Sequence, residues 1–158
     1  LALVDAAKAT GADAVKFQLF DSRKLWGDDR IAHLELSKAQ MLDIRAYCAS
    51  LGIEFMCTPF GVEEALFLKP LVSRMKIASG CIARFDLLDA VKDMPVILST
   101  GMSTLDEVAD AVVALNPVNQ MEQDITLLHC TSAYPCRLED VNLRAMLTMQ
   151  QYFEHIPY

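Results

Sequence analysis

Residues 74–80 read RMKIASG, a short apolar run that contains one lysine and ends in a serine–glycine pair. The run is too short for a helix and stops at a turn-forming glycine, which predicts a β-strand. An unpaired charge in a buried strand is costly, so Lys76 must meet either a structural carboxylate or an anionic ligand. This strand is therefore the first candidate for part of a binding site.

Four further apolar runs have similar lengths and are also bounded by glycine, proline or polar residues. They alternate with helical patterns, two of which begin with a capping box, Ser37 with Gln40 and Thr104 with Glu107. Strands that alternate with helices pair in parallel through right-handed crossovers. The chain is therefore predicted to be an α/β protein with strands DAVKFQ (13–18), IEFMCTPF (53–60), RMKIASG (74–80), PVILSTG (95–101) and ITLLHCTS (125–132).

Composition excludes several classes of function. The 158 residues are 53% hydrophobic and carry a formal net charge of −7, which allows a packed core but leaves no basic stripe for nucleic acid. No apolar run approaches the roughly 18 residues that span a bilayer. The five cysteines form no CxxC pair and are odd in number, which indicates a reduced, cytoplasmic protein rather than a disulfide framework.

Polar side chains lie toward the carboxyl ends of the predicted strands, where ligands bind in parallel α/β folds. Two lysines on different strands, accompanied by hydroxyl groups, favour an anion site, although structural ion pairs remain the alternative for each lysine. We treat both lysines as buried. The residues expected to converge on one site are Lys16, Gln18, Thr58, Lys76, Ser79, Ser99, Ser132 and Tyr134.

Three features near these strands have two readings each. Gly101 in LSTGMS either allows unusual backbone angles in a turn or, with Ser99 and Thr100, offers backbone N–H groups and hydroxyls to an anion. Cys81 is either an inert buried thiol or a thiol whose pKa Lys76 lowers. His129 is more often a structural residue than a ligand. With His33 and His155 it forms no metal-binding pattern, so we predict no metal ligand in this chain.

Five motifs, GADAVKFQ, GIEFMCTPF, KIASG, PVILSTGM and LLHCTSAYP, occur in this order and together resemble the sialic acid synthase family. The resemblance implies a (β/α)8 barrel. It also implies that phosphoenolpyruvate condenses with an N-acetylated amino sugar such as N-acetylmannosamine, giving a sialic-acid-type nonulosonate and phosphate. A divalent metal, Mn or Mg, acts as Lewis acid in that chemistry, and its ligands are expected outside this chain. A homodimer is also implied.

The resemblance assigns roles to the candidate residues. It implies that phosphoenolpyruvate is held by Lys16, Thr58, Lys76, Ser79 and Ser99, and that the sugar side of the site is formed by Gln18, Ser132 and Tyr134. Cys81 stands where the family usually has an acidic residue that serves in proton transfer. We therefore keep two alternatives: another phosphoenolpyruvate–aldose condensing synthase that makes 3-deoxy sugar acids, and a non-catalytic relative that binds sugar or phosphate.

The resemblance also implies a domain organisation. Residues 1–158 are expected to form a partial catalytic barrel domain with roughly strands two to six of eight. The N-terminal strand, the last two strands and a C-terminal antifreeze-like domain are missing from it. The segment between Lys16 and LELS is shorter than in many members. Because an open sheet leaves unpaired edges, we expect these residues alone to be poorly soluble and inactive.

Overall fold

The structure is a computed structural model and describes residues 1–116 and 124–154. His155, one of the three histidines considered above, lies outside the described residues. The chain forms two compact units, Leu1–Ser73 and Arg74–Tyr158, called unit 1 and unit 2 below.

Unit 1 contains a parallel pair of strands with helices before, between and after them. In β1 and β2, Lys16 lies beside Met56 and Gln18 beside Thr58. Residues in register, and residues two apart, share a face of a sheet, so these four side chains lie on one face. The elements are α1 (Ala2–Ala9), β1 (Ala14–Leu19), α2 (Ser22–Trp26), α3 (Lys38–Leu51), β2 (Glu54–Pro59) and α4 (Val62–Leu68), with 3₁₀ turns at Ala32–Leu34 and Lys69–Leu71.

Unit 2 contains three parallel strands in the order β3-β4-β5. Lys76 pairs with Ile97, and Ser99 pairs with Leu128. The predicted α/β class and the parallel pairing are therefore confirmed. The elements are β3 (Met75–Ile77), α5 (Phe85–Val91), β4 (Val96–Ser99), α6 (Leu105–Leu115), β5 (Ile125–Leu128) and α7 (Arg144–Tyr152), with 3₁₀ turns at Ser79–Cys81 and Leu138–Asp140.

The two predicted capping boxes are both present, and they set the starts of the two long helices. Ser37 and Gln40 cap α3, and Thr104 and Glu107 cap α6. Gly52 then ends α3 in the left-handed conformation that glycine adopts readily. Each of these helices buries one face, with Met41, Ile44 and Cys48 on α3 and Val108, Ala111 and Leu115 on α6.

All five cysteines are unpaired in the structure. Within residues 1–116 and 124–154, no helix combines the length and apolar character needed to cross a membrane.

Two lysines join three helices of unit 1 through one glutamate. Lys24 on α2 lies 3.1 Å from Glu63 on α4, and Lys38 at the start of α3 lies 2.8 Å from it. Hydrogen bonds from Lys38 and then Lys24 lower the pKa of the Glu63 carboxyl to about 2. All three side chains are largely exposed, so salt will screen this attraction.

The Glu63 pairing should make stability depend on pH in a definite direction. Because folding lowers the pKa of Glu63 from 4.5 to about 2, the stabilisation is present above the higher value and is lost as pH falls toward the lower one. Urea titrations should therefore show that Glu63→Gln loses less free energy of unfolding than the wild type as the pH falls from about 5 to about 2. Glu154→Gln is the control, and equal pH slopes for all three proteins would contradict the assignment.

Candidate functional site

Lys76 is buried at the centre of β3, as predicted, with 7% of its surface exposed. Its ammonium group donates a hydrogen bond of 2.7 Å to the carbonyl oxygen of Ile77 and another to Ser99 Oγ. Lys76 and Ser99 share a face because Ile97, the partner of Lys76, lies two residues before Ser99 on β4. The sheet therefore brings the buried charge to a hydroxyl at the carboxyl end of the neighbouring strand.

Two serine hydroxyls at the carboxyl ends of β3 and β4 act as acceptors. Ser99 Oγ accepts from Lys76 and from Cys130 Sγ at 3.3 Å, and Ser79 Oγ accepts from the backbone N–H of Gly101 at 3.0 Å. A hydroxyl has one hydrogen to donate in addition to its acceptor lone pairs. Among the described residues neither hydroxyl hydrogen has a recorded acceptor, so both can donate to an anion.

Gly101 lies where the segments that follow β3, β4 and β5 come together. A Cβ at this position would lie 2.6 Å from Ser132 Oγ, 2.9 Å from Ser79 Oγ and 3.0 Å from the carbonyl oxygen of Cys130. The reading of this segment as a turn before the next helix is confirmed. Glycine is needed there for close approach and not for an unusual backbone angle, since its φ is outside the left-handed region. We call these six residues the Lys76 cluster: Lys76, Ser79, Ser99, Gly101, Cys130 and Ser132.

The backbone amides after β4 are already satisfied inside the fold. The N–H of Thr100 donates to the carbonyl of Leu128 at 3.0 Å, and the N–H of Gly101 donates to Ser79. The hypothesis that this turn offers its N–H groups to an anion is therefore wrong, because β5 and Ser79 occupy them.

Cys81 is buried, with 5% of its surface exposed. Burial raises the pKa of its thiol, and the nearby positive charges of Arg84 and Lys76 offset this only in part. The reading of Cys81 as an inert thiol agrees with this environment.

Ser132 and Tyr134 were expected to act together, but their surroundings differ. Ser132 contributes to the cluster through its position beside Gly101, whereas Tyr134 is 95% exposed. Among the described residues no recorded hydrogen bond connects Tyr134 to the cluster. Its role toward a sugar therefore stays a prediction.

Residue Cys130 joins the cluster although sequence reasoning did not select it. The signal that was available is its place in HCTS directly after β5, in the polar run that already contains Ser132.

His129, beside it, fits the structural reading, since its Nε2 lies 2.6 Å from the carbonyl oxygen of Val141. His129 and Cys130 also line a separate cavity of about 340 Å³ in unit 2, with Thr100, Ser103, Asn142 and Arg144 among its other walls.

Unit 1 carries the other three candidate residues on one face of β1 and β2. Lys16 is exposed, so the expectation that it is buried is wrong; with Gln18 it lines a cavity of about 520 Å³. Thr58 is 2% exposed, and its hydroxyl has no hydrogen-bond partner among the described residues. Such an orphaned buried group is rare in native proteins and points to a missing ligand, water or neighbouring segment.

No group of three or more His, Cys, Asp or Glu side chains in the described ranges is arranged to hold a metal ion. The donors around the Lys76 cluster are an ammonium group, hydroxyls and thiols, which do not fit the oxygen-ligand set that Mg²⁺ or Mn²⁺ prefers. These residues therefore do not form the metal site that the resemblance implies.

The fold and the Lys76 cluster together define a parallel α/β protein with a polar site at the carboxyl ends of its strands. A model of the NeuB family matches residues 3–158, and the chain belongs to this family. The predicted resemblance to sialic acid synthases is thereby confirmed.

Relatives and a solved structure agree with this assignment. The chain is 39% identical to the N,N'-diacetyllegionaminic acid synthase of Legionella pneumophila, covering 96% of this chain and 49% of that protein. It is 31% identical to the human N-acetylneuraminate-9-phosphate synthase, covering 98% and 48%. The crystal structure of an N-acetylneuraminic acid synthetase from Leptospira borgpetersenii superposes with a TM-score of 0.90 at 32% identity, covering 97% of this chain and 55% of that chain. The chain thus spans about half the length of the relatives it matches.

The packing around Gly101 predicts a large difference between two glycines of unit 2. Gly101→Ala should reduce the free energy of unfolding by about 1–3 kcal/mol, because the new methyl group has no space among Ser79, Ser132 and the Cys130 carbonyl. Gly80→Ala should change it by less than about 0.5 kcal/mol, since a Cβ there meets nothing within 4 Å. Urea unfolding of both variants tests this, and equal losses would refute the packing argument.

Proposed function

We propose that this protein is a nonulosonic acid synthase that condenses phosphoenolpyruvate with an N-acylated amino sugar and releases phosphate. The observation that carries the proposal is the Lys76 cluster, in which a buried ammonium group donates to the hydroxyl of Ser99, whose own hydrogen is still available. Membership of the NeuB family and the names of the relatives support the reaction class.

In unit 2 we assign the anionic groups of phosphoenolpyruvate to Lys76, Ser79 and Ser99. The positive charge of Lys76 favours binding of an anion, and charge-assisted hydrogen bonds are stronger than neutral ones. Ser132, which follows β5 and lies beside Gly101, is assigned to the substrate side of the same cluster. Tyr134 is assigned to the sugar, with its exposed phenol as the group that would contact it.

In unit 1 we assign Lys16 and Thr58 to the charged substrate and Gln18 to the sugar. Thr58 supports this assignment because its buried hydroxyl has no partner among the described residues. Lys16 and Gln18 support it because both line a cavity of small-molecule size.

The chemistry requires three bond changes. C3 of phosphoenolpyruvate forms a bond to the aldehyde carbon of the open-chain sugar, whose oxygen takes up a proton. A water molecule then adds to C2 and loses a proton, and the bond between C2 and the phosphate oxygen breaks. The products are a 2-keto acid and inorganic phosphate. Lys76 and the serine hydroxyls hold the anion and compensate the charge on the leaving phosphate.

Several finer statements belong to the same proposal. Four points remain predictions: the particular amino sugar, a divalent metal with ligands outside the described residues, a homodimer, and a partial barrel domain over residues 1–158. The two synthases named above make different products, so the family alone leaves the amino sugar open.

Phosphate release from phosphoenolpyruvate, in the presence of N-acylated amino sugars and Mn²⁺, tests the proposed function on the complete gene product. Ser99→Ala removes an acceptor from Lys76 and a donor for the substrate. It should lower kcat/KM for phosphoenolpyruvate about 10–100-fold, since a hydrogen bond to a charged group contributes about 1.5–3 kcal/mol. Ser50→Ala, on the exposed surface of α3, is the matched control. Absence of phosphate release with every amino sugar would overturn the proposal.

Cys81 provides a test against the non-catalytic alternative. The buried thiol cannot supply the carboxylate that the family usually has at this position, and its raised pKa keeps it protonated. Cys81→Glu places a carboxylate near Arg84 and Lys76, whose charges favour its ionised form, and near Asp86, whose charge opposes it. A synthase should gain rate in the phosphate-release assay, whereas a protein that only binds sugar or phosphate should show no turnover with either residue.

A further inference from the structure

Unit 2 contains a cavity of about 340 Å³ that the proposed function does not use. Residues from the first turn of α6 and from α7 line it, so we call it the α6–α7 cavity. Cys130 is the member of the Lys76 cluster that also lines it. None of the residues assigned above to phosphoenolpyruvate or to the sugar is among its described walls. The cavity is large enough for a small molecule and is separate from the assigned substrate residues.

One side of the α6–α7 cavity is apolar and buried. Val108 of α6 and Met149 of α7 are 2% and 4% exposed, and Leu105 and Ala145 of the same two helices are half-buried. Thr100 is buried as well, and its hydroxyl already donates to a backbone carbonyl at 3.0 Å. This side of the cavity therefore suits the apolar body of a ligand.

The exposed rim of the cavity carries a cation. Arg144 is the first residue of α7, and its guanidinium has no recorded hydrogen bond or ion pair among the described residues. No Asp or Glu is among the described lining residues, and the Nε2 atom of His129 is used by the carbonyl of Val141. The charge of Arg144 is thus not compensated within the cavity, which favours an anionic ligand.

Two residues of the rim have an uncommon backbone conformation. Met102 precedes α6 with a φ of 64°, and Asn142 precedes α7 with a φ of 47°. Residues other than glycine rarely have positive φ, and those that do are found preferentially at ligand sites. Both described examples in this chain lie on the α6–α7 cavity, one from each of the two segments that enter its helices.

We propose that the α6–α7 cavity binds a small organic monocarboxylate with an apolar body. A guanidinium is planar and donates two parallel hydrogen bonds to a carboxylate, which fits the cation of the rim. The buried side chains of α6 and α7 would cover the rest of the ligand. Inorganic phosphate fits less well, because it carries more charge than one guanidinium balances and has no apolar part. This site goes beyond the proposed function and does not depend on it.

Cys130 stands between the α6–α7 cavity and the Lys76 cluster. Its Sγ donates to Ser99 Oγ at 3.3 Å, and the same residue lines the cavity. A carboxylate held by Lys76 would lose a hydrogen-bond partner when Ser99 is replaced, whereas one held by Arg144 would not. Ser99→Ala therefore distinguishes the two positions.

Benzoate is a suitable probe because it combines one carboxylate with an apolar ring. Its Kd is measured by ligand-observed NMR titration of the complete gene product. Arg144→Gln should raise this Kd about tenfold or more, since it removes hydrogen bonds to a charged group. Lys92→Gln is the matched control, because it removes the same charge from α5 and its surroundings in unit 2 but lies outside the cavity. It should change the Kd less than about twofold.

Ala145→Leu tests the apolar side separately. The larger side chain fills part of the cavity, so benzoate should bind more weakly although Arg144 is retained. Benzamide, which has the same shape without the charge, and inorganic phosphate, which has charge without the ring, should both bind more weakly than benzoate to the wild type.

Four results would overturn the inference. They are no binding of benzoate, equal Kd values in Arg144→Gln and Lys92→Gln, benzamide or phosphate binding as tightly as benzoate, and loss of benzoate binding in Ser99→Ala. These measurements need no turnover, so the outcome is independent of whether phosphate is released from phosphoenolpyruvate.

Discussion

Lys76 lies between Met75 and Ile77, both of which are completely buried in the apolar core of unit 2. Because side chains alternate along a strand, the contacts that bury these two residues direct Lys76 to the opposite face. The ammonium group is therefore removed from water by the same packing that stabilises the unit. A charge held in this way needs polar partners, and Ser99 on the next strand is one of them.

The polar groups of the Lys76 cluster are arranged in keeping with the need of the buried ammonium group for polar partners. The serines that follow β3 and end β4 use their oxygens as acceptors, one for a backbone N–H and one for Lys76. Their hydrogens remain available, so the cluster is satisfied internally and can still bind an anion. Gly101 permits this arrangement because a Cβ at that position would lie within 3.0 Å of Ser132 Oγ, Ser79 Oγ and the carbonyl oxygen of Cys130.

In unit 1, the lysine of the corresponding strand pattern is exposed instead of buried. Lys16 occupies a position on β1 similar to that of Lys76 on β3, but it lines a cavity and stays exposed. Thr58, on the neighbouring strand, is the buried polar group there. The cavity is lined by Leu25 and Trp26 of α2 and by Ile31, Leu34 and Leu36 after it, in addition to Phe17, Phe20 and Phe60. The residues of α2 and of the segment after it lie outside the strand motifs from which the site was predicted.

Sequence alone determined the elements that depend on local chemistry. Short apolar runs became parallel strands, and the two capping boxes started helices at Ser37 and Thr104, because these signals act within a few residues. The family resemblance was also carried by local motifs.

Tertiary structure decided which lysine is buried, that the amides after β4 are occupied, and that Cys130 joins the Lys76 cluster. Those outcomes depend on contacts between residues about 20 to 30 positions apart, such as Lys76 with Ser99 and Ser99 with Cys130. Such pairings follow from strand order and packing, which no local pattern specifies.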